Sequence, residues 1–231
     1  MGSELLPWVF TSGWASGISS YAVVLVMGLL GRFGHVEAVP DALTRTDVLV
    51  VAATLFLVEL VADKIPYLDS TWDAIHTVVR PAVGATLGYL LGHESSSLAA
   101  AFSAAAGGFS ALASHTVKAG LRAAVNTSPE PASNIAVSTA EDVTVAGVVT
   151  LAAFHPWAAA AIAATLLVIG VTLVVFLLGR IRRFRQRRRE RVGLDPTPKQ
   201  PRATSRGLGR SSPPREDNQA GETPKTPTVR D

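Results

Sequence analysis

Long apolar segments separated by short polar ones run along residues 15–179 of the chain. The clearest of them is 157–179, which is 23 residues without a single charged side chain. A helix needs about 20 mainly apolar residues to cross the hydrocarbon core of a bilayer. A helix also satisfies its own backbone hydrogen bonds, as lipid requires. The pattern therefore predicts an all-α protein, a polytopic transmembrane helical bundle.

The spacing of the apolar segments predicts about six spans. The predicted spans are 15–31, 47–66, 70–91, 96–125, 139–154 and 157–179. A re-entrant path around 72–92 would leave five spans and a re-entrant helix. Residues 1–14 are predicted to form an N-terminal interfacial segment, because Trp8 and Trp14 are of a type that is enriched at the membrane–water boundary.

Prolines and capping residues mark expected bends and helix starts. Pro81 lies inside the third span, where a proline ring kinks a helix. Pro129 and Pro131 predict a loop between the fourth and fifth spans. These three prolines are our candidate hinges. Ser138 followed three residues later by Glu141 matches a capping box, which predicts that the fifth helix starts there.

Charge is divided unevenly along the chain. Residues 180–231 hold 15 of the 21 Lys and Arg residues and 6 of the 18 Asp and Glu residues, a net of +9. Residues 1–179 hold the other 6 basic and 12 acidic residues, a net of −6. Residues 180–191 contain eight arginines and predict a juxtamembrane basic segment. Residues 192–231 are rich in Pro, Gly, Ser, Thr and charge, which predicts a disordered cytoplasmic tail.

The basic residues also predict the orientation in the membrane. Arginines directly after a span favour the cytoplasmic side and contact anionic lipid headgroups, so we expect no nucleic-acid partner. Counting back six spans places the N-terminus in the cytoplasm as well. The same count places on that side the loops that would carry Lys64, Arg80, Lys118 and Arg122.

Polar side chains recur at helical spacing within the apolar segments. Glu59 and Asp63 lie one turn apart in the second span. The polar stripes of the next two spans contain Asp73, His76 and Arg80 in the third and His115, Lys118, Arg122 and Asn126 in the fourth. The stripe in the fourth span covers about 80° of arc at 100° per residue. Ionisable residues inside a membrane are costly, so a cluster of them indicates a functional site by default.

Two roles follow from the chemistry of these side chains. Guanidinium and ammonium groups bind phosphate or carboxylate, so the candidate substrate-binding residues are Arg80, Lys118, Arg122, His115 and Asn126. Carboxylates in a low dielectric can exchange protons, so the candidates for coupling or charge compensation are Glu59, Asp63, Asp73, His76 and Glu130.

Structural alternatives stand beside both roles. The basic side chains could anchor helix ends at the cytoplasmic interface and contact lipid headgroups. Glu59 and Asp63 could form internal ion pairs with Lys64, Arg80 or Arg122 that lock the helices together.

The composition gives little support to an enzyme. The chain has no cysteine, which excludes thiolate catalysis and cysteine-based metal sites. The histidines and carboxylates do not show HxxxH or HxxE spacing on one helix, so no metal or cofactor is predicted. Ser114 and Ser128 lie in no recognisable nucleophile elbow.

Three segments resemble a known family. They are GISSYAVVLVMGLLGRFG, ADKIPYLDSTWDAIHTVVRPAVGA and SHTVKAGLRAAVNTSPEPASNIAVSTAED. These segments resemble bacterial integral membrane proteins of domain-of-unknown-function family 4126, over about residues 10–180. The matching signature positions are Asp63, Lys64, Pro66, Arg80, Pro81, Ser128, Pro129, Glu130 and Pro131. The resemblance implies a polytopic membrane protein and supplies no activity, substrate or cofactor.

The leading hypothesis is a transporter or carrier of a small anionic or phosphate-bearing solute or lipid, located in a bacterial inner membrane. The alternative is a non-transporting scaffold or assembly factor whose polar blocks form an ion-paired helix interface. Either protein could be a homo-oligomer.

Overall fold

The computed structural model describes residues 3–65, 68–125 and 131–192, and within these ranges the secondary structure is entirely helical. The described helices are α1 Leu5–Ile18, α2 Ser20–Gly34, α3 Asp41–Thr44, α4 Thr46–Ala62, α5 Leu68–Gly92, α6 Ser97–Val125, α7 Pro131–Phe154 and α8 Pro156–Val192. The all-α prediction is confirmed. The predicted disordered tail lies outside the described residues, apart from Val192.

Three of the described helices are long and apolar enough to cross a membrane. The segments that meet this condition are Ser97–Ala123 of α6, Ile135–Phe154 of α7 and Pro156–Phe184 of α8. Helix α2 is apolar but shorter. The number of spans stays a prediction, because α4 has only 17 residues and α5 carries the buried charges of Asp73 and Arg80.

The outer surfaces of α4 and α5 are nevertheless apolar. Val50, Leu57 and Val61 on α4 are 59%, 61% and 59% exposed, and Val78 on α5 is 74% exposed. Glu59 on α4 and Asp73 and Arg80 on α5 are buried inside the bundle instead. A soluble protein rarely presents such a continuous apolar surface to water, whereas lipid favours it. Together with the three long apolar helices, this arrangement identifies a membrane-embedded protein.

The first predicted span is broken. Residues 15–31 do not form one helix, because Ser19 adopts an extended backbone (φ −147°, ψ 99°) between α1 and α2. The Ser19 hydroxyl then accepts a hydrogen bond from the backbone N–H of Ala22 and caps α2, a role that serine performs well. Trp8 and Trp14, predicted at the membrane interface, pack in the protein core.

Helices α1, α5 and α6 pack unusually closely. Small residues of α6, among them Gly107 and Ala111, supply this contact. A Cβ atom built on Gly88 of α5 would lie 2.0 Å from the carbonyl oxygen of Ser103. The backbones can approach this closely only because the side chains between them are absent or small.

The second half of the chain differs from its prediction at one boundary. Helix α7 begins at Pro131, a favoured first helical position, and not at the predicted capping box. Ser138 and Glu141 therefore lie in the helix interior, with the Ser138 side chain fully buried. The predicted interruption at His155 separates α7 from α8, and α8 continues into the arginine run.

Candidate functional site: two buried charge clusters

Charged side chains from α4, α5, α6 and α7 meet inside the helical bundle. They form two groups that lie one helical turn apart on α4 and on α6. The Arg80 cluster consists of Glu59, Asp73, Arg80 and His115, and the Lys118–Arg122 cluster consists of Asp63, Lys118, Arg122 and Glu141. Both clusters are largely shielded from solvent, so each charge depends on its protein partners.

In the Arg80 cluster, one guanidinium group holds three partners. Arg80 Nη2 lies 3.0 Å from Glu59 Oε1, and Nη1 lies 2.9 Å from Asp73 Oδ1. The same Nη1 donates to His115 Nδ1 at 2.9 Å. A guanidinium can only donate, so His115 Nδ1 must accept and the ring is neutral with its proton on Nε2. That nitrogen then donates to the hydroxyl of Thr77 at 3.1 Å.

Helix α2 closes the Arg80 cluster on one side. The Ser19 hydroxyl donates to Glu59 Oε2 at the N-terminus of α2. The OH of Tyr21 lies 3.1 Å from His76 Nε2, and the other ring nitrogen of His76 bonds the backbone oxygen of Trp72 at 2.8 Å. His76 therefore belongs to the periphery of this cluster and does not contact the guanidinium.

In the Lys118–Arg122 cluster, two cations share two carboxylates. Lys118 Nζ lies 2.6 Å from Asp63 Oδ2 and 3.4 Å from Glu141 Oε2. Arg122 Nη2 lies 2.9 Å from Glu141 Oε2, and Nη1 donates to the backbone oxygen of Asp63 at 2.7 Å. Glu141 thus bridges both cations from α7, while Asp63 binds them from the end of α4.

The break between α1 and α2 leaves two helix ends inside the bundle. A cation meets the end of α1, and a carboxylate meets the start of α2. Lys118 Nζ donates to the carbonyl oxygen of Ile18 at 2.8 Å, at the C-terminus of α1. Glu59 receives the Ser19 hydroxyl at the N-terminus of α2. A helix carries roughly half a negative charge at its C-terminus and half a positive charge at its N-terminus. Each helix end therefore stabilises the cluster residue that it meets.

The two clusters have different formal charges. The Arg80 cluster contains one cation and two carboxylates, with His115 neutral, for a net of −1. Among the described residues, the Lys118–Arg122 cluster contains two cations and two carboxylates, which sum to zero. The N-terminus of α2 partly offsets the excess negative charge of the Arg80 cluster.

A cavity of about 270 Å³ lies against the Lys118–Arg122 cluster, between α1, α6, α7 and α8. Lys118 and Glu141 form its charged wall. Most of the remaining wall is apolar and includes Trp14, Leu121 and Leu166. This volume is close to the lower end of the range of small-molecule sites, roughly 300–1,000 Å³. The arrangement of a charged end and an apolar body suits a small amphipathic anion.

Most of the predicted site residues meet in these clusters. The structure brings together Glu59, Asp63, Asp73, Arg80, His115, Lys118 and Arg122. Pro81 lies inside α5 directly after Arg80, and Pro131 is the first residue of α7. Asn126, Pro129 and Glu130 lie outside the described residues. The functional roles of all these residues stay predictions.

The contacts include the ion pairs that the structural alternative expected. Glu59 pairs with Arg80, and Asp63 pairs with Arg122. Lys64 pairs instead with Asp142 at 3.7 Å. Because Arg80, Lys118 and Arg122 are buried within helices, they no longer count as loop residues in the argument for orientation. That argument now depends on the arginine run after the last span.

Sequence reasoning missed three residues of the site. The sequence predicts a capping role for Glu141, although the excess of acids over bases in the core is a signal that further carboxylates pair internally. Ser19 and Tyr21 lie in an apolar segment and have no local signal beyond their polarity. Among the described residues, no group of three or more His, Cys, Asp or Glu side chains could hold a metal ion.

Comparison with known proteins gives one match. The family model described as a domain of unknown function, DUF4126, matches residues 6–175. No curated protein and no solved structure matches the chain. Since the family model covers well over half of the sequence, including both charge clusters, the chain belongs to the DUF4126 family.

Proposed function

We propose that this membrane protein is a carrier of a small anionic or phosphate-bearing solute or lipid, which binds in the cavity beside the Lys118–Arg122 cluster. The observation that carries the proposal is the cavity itself, because a buried ammonium group forms part of an otherwise mainly apolar wall. A ligand there would place its anionic end at Lys118 and its apolar part along Trp14 and Leu166.

The two cations suit anion binding. The Lys118 ammonium is a compact point charge, and the Arg122 guanidinium is a planar fork of donors that matches carboxylate and phosphate oxygens. Both contact Glu141, so one carboxylate from the protein already occupies the position between them. An incoming anion would take over contacts that this carboxylate now makes.

The broken helix supports a transport role. Secondary transporters often place their binding sites at discontinuous helices, where free helix ends meet ions and substrates. Here the break at Ser19 brings the end of α1 to Lys118, which also lines the cavity. Movement of α1 would therefore change the binding site directly.

We place the carrier in a bacterial inner membrane with both termini in the cytoplasm. The arginine run of residues 180–191 supports this orientation, because it follows the long apolar part of α8 and would contact anionic lipid headgroups.

Native mass spectrometry of the detergent-purified protein tests the binding site. Thr144→Leu would narrow the cavity and remove a hydroxyl from its wall, and Thr165→Leu is its matched control on the exposed face of α8, with the same hydroxyl-to-backbone bond in the parent. We expect an anionic ligand bound to the parent and the control, and weaker binding by Thr144→Leu. Uptake of that ligand into proteoliposomes should follow the same order.

Two results would contradict this proposal. A ligand that binds folded Thr144→Leu as tightly as it binds the parent would not occupy the cavity. A parent protein that binds no anion, even after incubation with hexanoate, phosphate or anionic phospholipid, would not be an anion carrier.

A second candidate function is a membrane scaffold. The observation that favours it is the Arg80 cluster, in which both terminal nitrogens of the guanidinium pair with residues of its own chain. A scaffold would bind no ligand in the cavity, and Thr144→Leu would behave like Thr165→Leu in every measurement.

A further inference from the structure

We propose that Glu141 is an exchangeable counter-ion, which takes up a proton when a monovalent anion replaces it beside Lys118 and Arg122. The inference rests on the proposed carrier function. It adds a ligand class, short-chain monocarboxylates, and a stoichiometry of one proton for each anion.

Among the carboxylates of the cluster, Glu141 is the one placed to leave. Its side chain is 15% exposed and lines the cavity, whereas that of Asp63 is 3% exposed. Asp63 also has the shorter contact with Lys118, 2.6 Å against 3.4 Å for Glu141. The backbone oxygen of Asp63 holds Arg122 as well, so Asp63 is the fixed partner.

The groups around Glu141 support this assignment. Lys118 and Arg122 face it from α6, and Asp63 contacts the same two cations from the end of α4. Its neighbour Asp142 pairs separately with Lys64, 3.7 Å away.

The other helices that pack near Glu141 contribute either titratable side chains with other partners or side chains that do not titrate. The titratable side chains of α2, Tyr21 and Arg32, bond His76 and Thr46 instead. The cavity walls from α1 and α8 consist of Trp14, Ile18, Leu166, Leu167 and Gly170, none of which is titratable.

Charge balance links the proton to the anion. Protonation of Glu141 raises the charge of this region by one unit, and a monovalent anion in the cavity lowers it by one unit. Because a change in buried charge is costly, the proton and the anion bind together. The proton is added to the Glu141 carboxylate from the solution, and no other bond changes, so the loading step is electroneutral.

The cavity defines the ligand class. Its volume of about 270 Å³ corresponds to roughly nine water-sized groups, at about 30 Å³ each. Its walls are mainly apolar apart from the charged end. A carboxylate with a short alkyl chain matches both features, and hexanoate, with eight non-hydrogen atoms, is a suitable probe.

Calorimetric titration of hexanoate into the purified full-length protein tests the exchange. The titration is run between about pH 6 and pH 8, where free hexanoate is ionised in solution. If one proton binds with each anion, the affinity of the parent falls about tenfold for each unit of increase in pH. We expect Glu141→Gln to bind hexanoate without this dependence, and Glu141→Asp to restore it. Glu94→Gln, which removes an exposed carboxylate, is the matched control and should behave like the parent.

The outcomes separate this inference from the proposed function. A parent that binds hexanoate with no pH dependence, or a Glu141→Gln variant that keeps the full dependence, would overturn the role of Glu141 and leave the binding site in place. If neither folded protein binds hexanoate, the ligand class is wrong. If the parent also fails to bind phosphate and anionic phospholipid, the carrier proposal fails with it.

Discussion

The Arg80 cluster and the Lys118–Arg122 cluster contain the same kinds of side chain but differ in their surroundings, because the first is enclosed by protein and the second borders a cavity. Arg80 is fully buried where α5 packs against α1 and α6, and its partners come from the protein on every side. Lys118 and Arg122 lie beside a cavity, and one of their carboxylates is partly exposed. The difference indicates that the packing around a buried ion pair determines its role. A fully enclosed cluster holds helices together, whereas a cluster that borders a cavity can exchange one of its charged partners.

Removing Arg80 should have the largest effect, because it would leave two buried carboxylates without their cation. We expect Arg80→Ala to lower the free energy of unfolding by about 3–5 kcal/mol. Thermal unfolding in detergent would measure the loss. Arg45→Ala is the matched control, since Arg45 pairs with Asp47 on an exposed surface and such pairs contribute at most about 1 kcal/mol.

A charge-balanced variant sharpens the same test. Replacing Glu59 by Gln, Asp73 by Asn and Arg80 by Met removes all three charges together, and we expect it to recover much of the lost stability. If folded and inserted Arg80→Ala were as stable as the parent, the Arg80 cluster would not stabilise the packing of the helices.

The close packing of α5 against α6 predicts the next effect. Gly88→Ala would place a methyl group against the backbone oxygen of Ser103, and we expect a loss of about 3 kcal/mol, the upper part of the usual range for overpacking. Gly147→Ala is the matched control on α7, where a Cβ would meet nothing within 4 Å. This control should leave stability unchanged or raise it by up to about 1 kcal/mol. Equal losses in the two variants would contradict the close contact of α5 with α6.

The smallest effect on stability is expected at the cavity. Thr144→Leu adds apolar volume to an existing space, so its unfolding free energy should change by less than about 1.5 kcal/mol. Chemical denaturation, measured in the absence of ligand, would give this value. A loss as large as that of Arg80→Ala would mean that the cavity side of the bundle is as tightly packed as the Arg80 side.

Much of the helical architecture could be predicted from the sequence, because it depends on local patterns. Apolar length gave the all-α bundle, and helical spacing placed Asp73 and Arg80 on one face, where they now form an ion pair. The structural alternative in which Glu59 and Asp63 pair with Lys64, Arg80 or Arg122 also followed from charge, since buried carboxylates need cations, although Lys64 pairs with Asp142 instead.

The features that could not be predicted depend on contacts between distant parts of the chain. Nothing near Ser19 forbids a helix, and the partner of its hydroxyl, Glu59, lies 40 residues further on. Glu141 has a convincing local interpretation as a capping residue, which the tertiary contacts with Lys118 and Arg122 override. When a residue fits a local motif, the sequence gives no sign that its partner in the folded protein lies on another helix.

The break at Ser19 has a consequence for how the protein is made. Helix α1 has 14 residues, so it is about 21 Å long, too short to cross a hydrocarbon core of about 30 Å by itself. The groups that bond its backbone, the Ser110 and Ser114 hydroxyls and the Lys118 ammonium, lie on α6, each 100 residues later. At a synthesis rate of about 5–20 residues per second, the groups on α6 that bond the backbone of α1 are synthesised roughly 5–20 seconds after α1 itself.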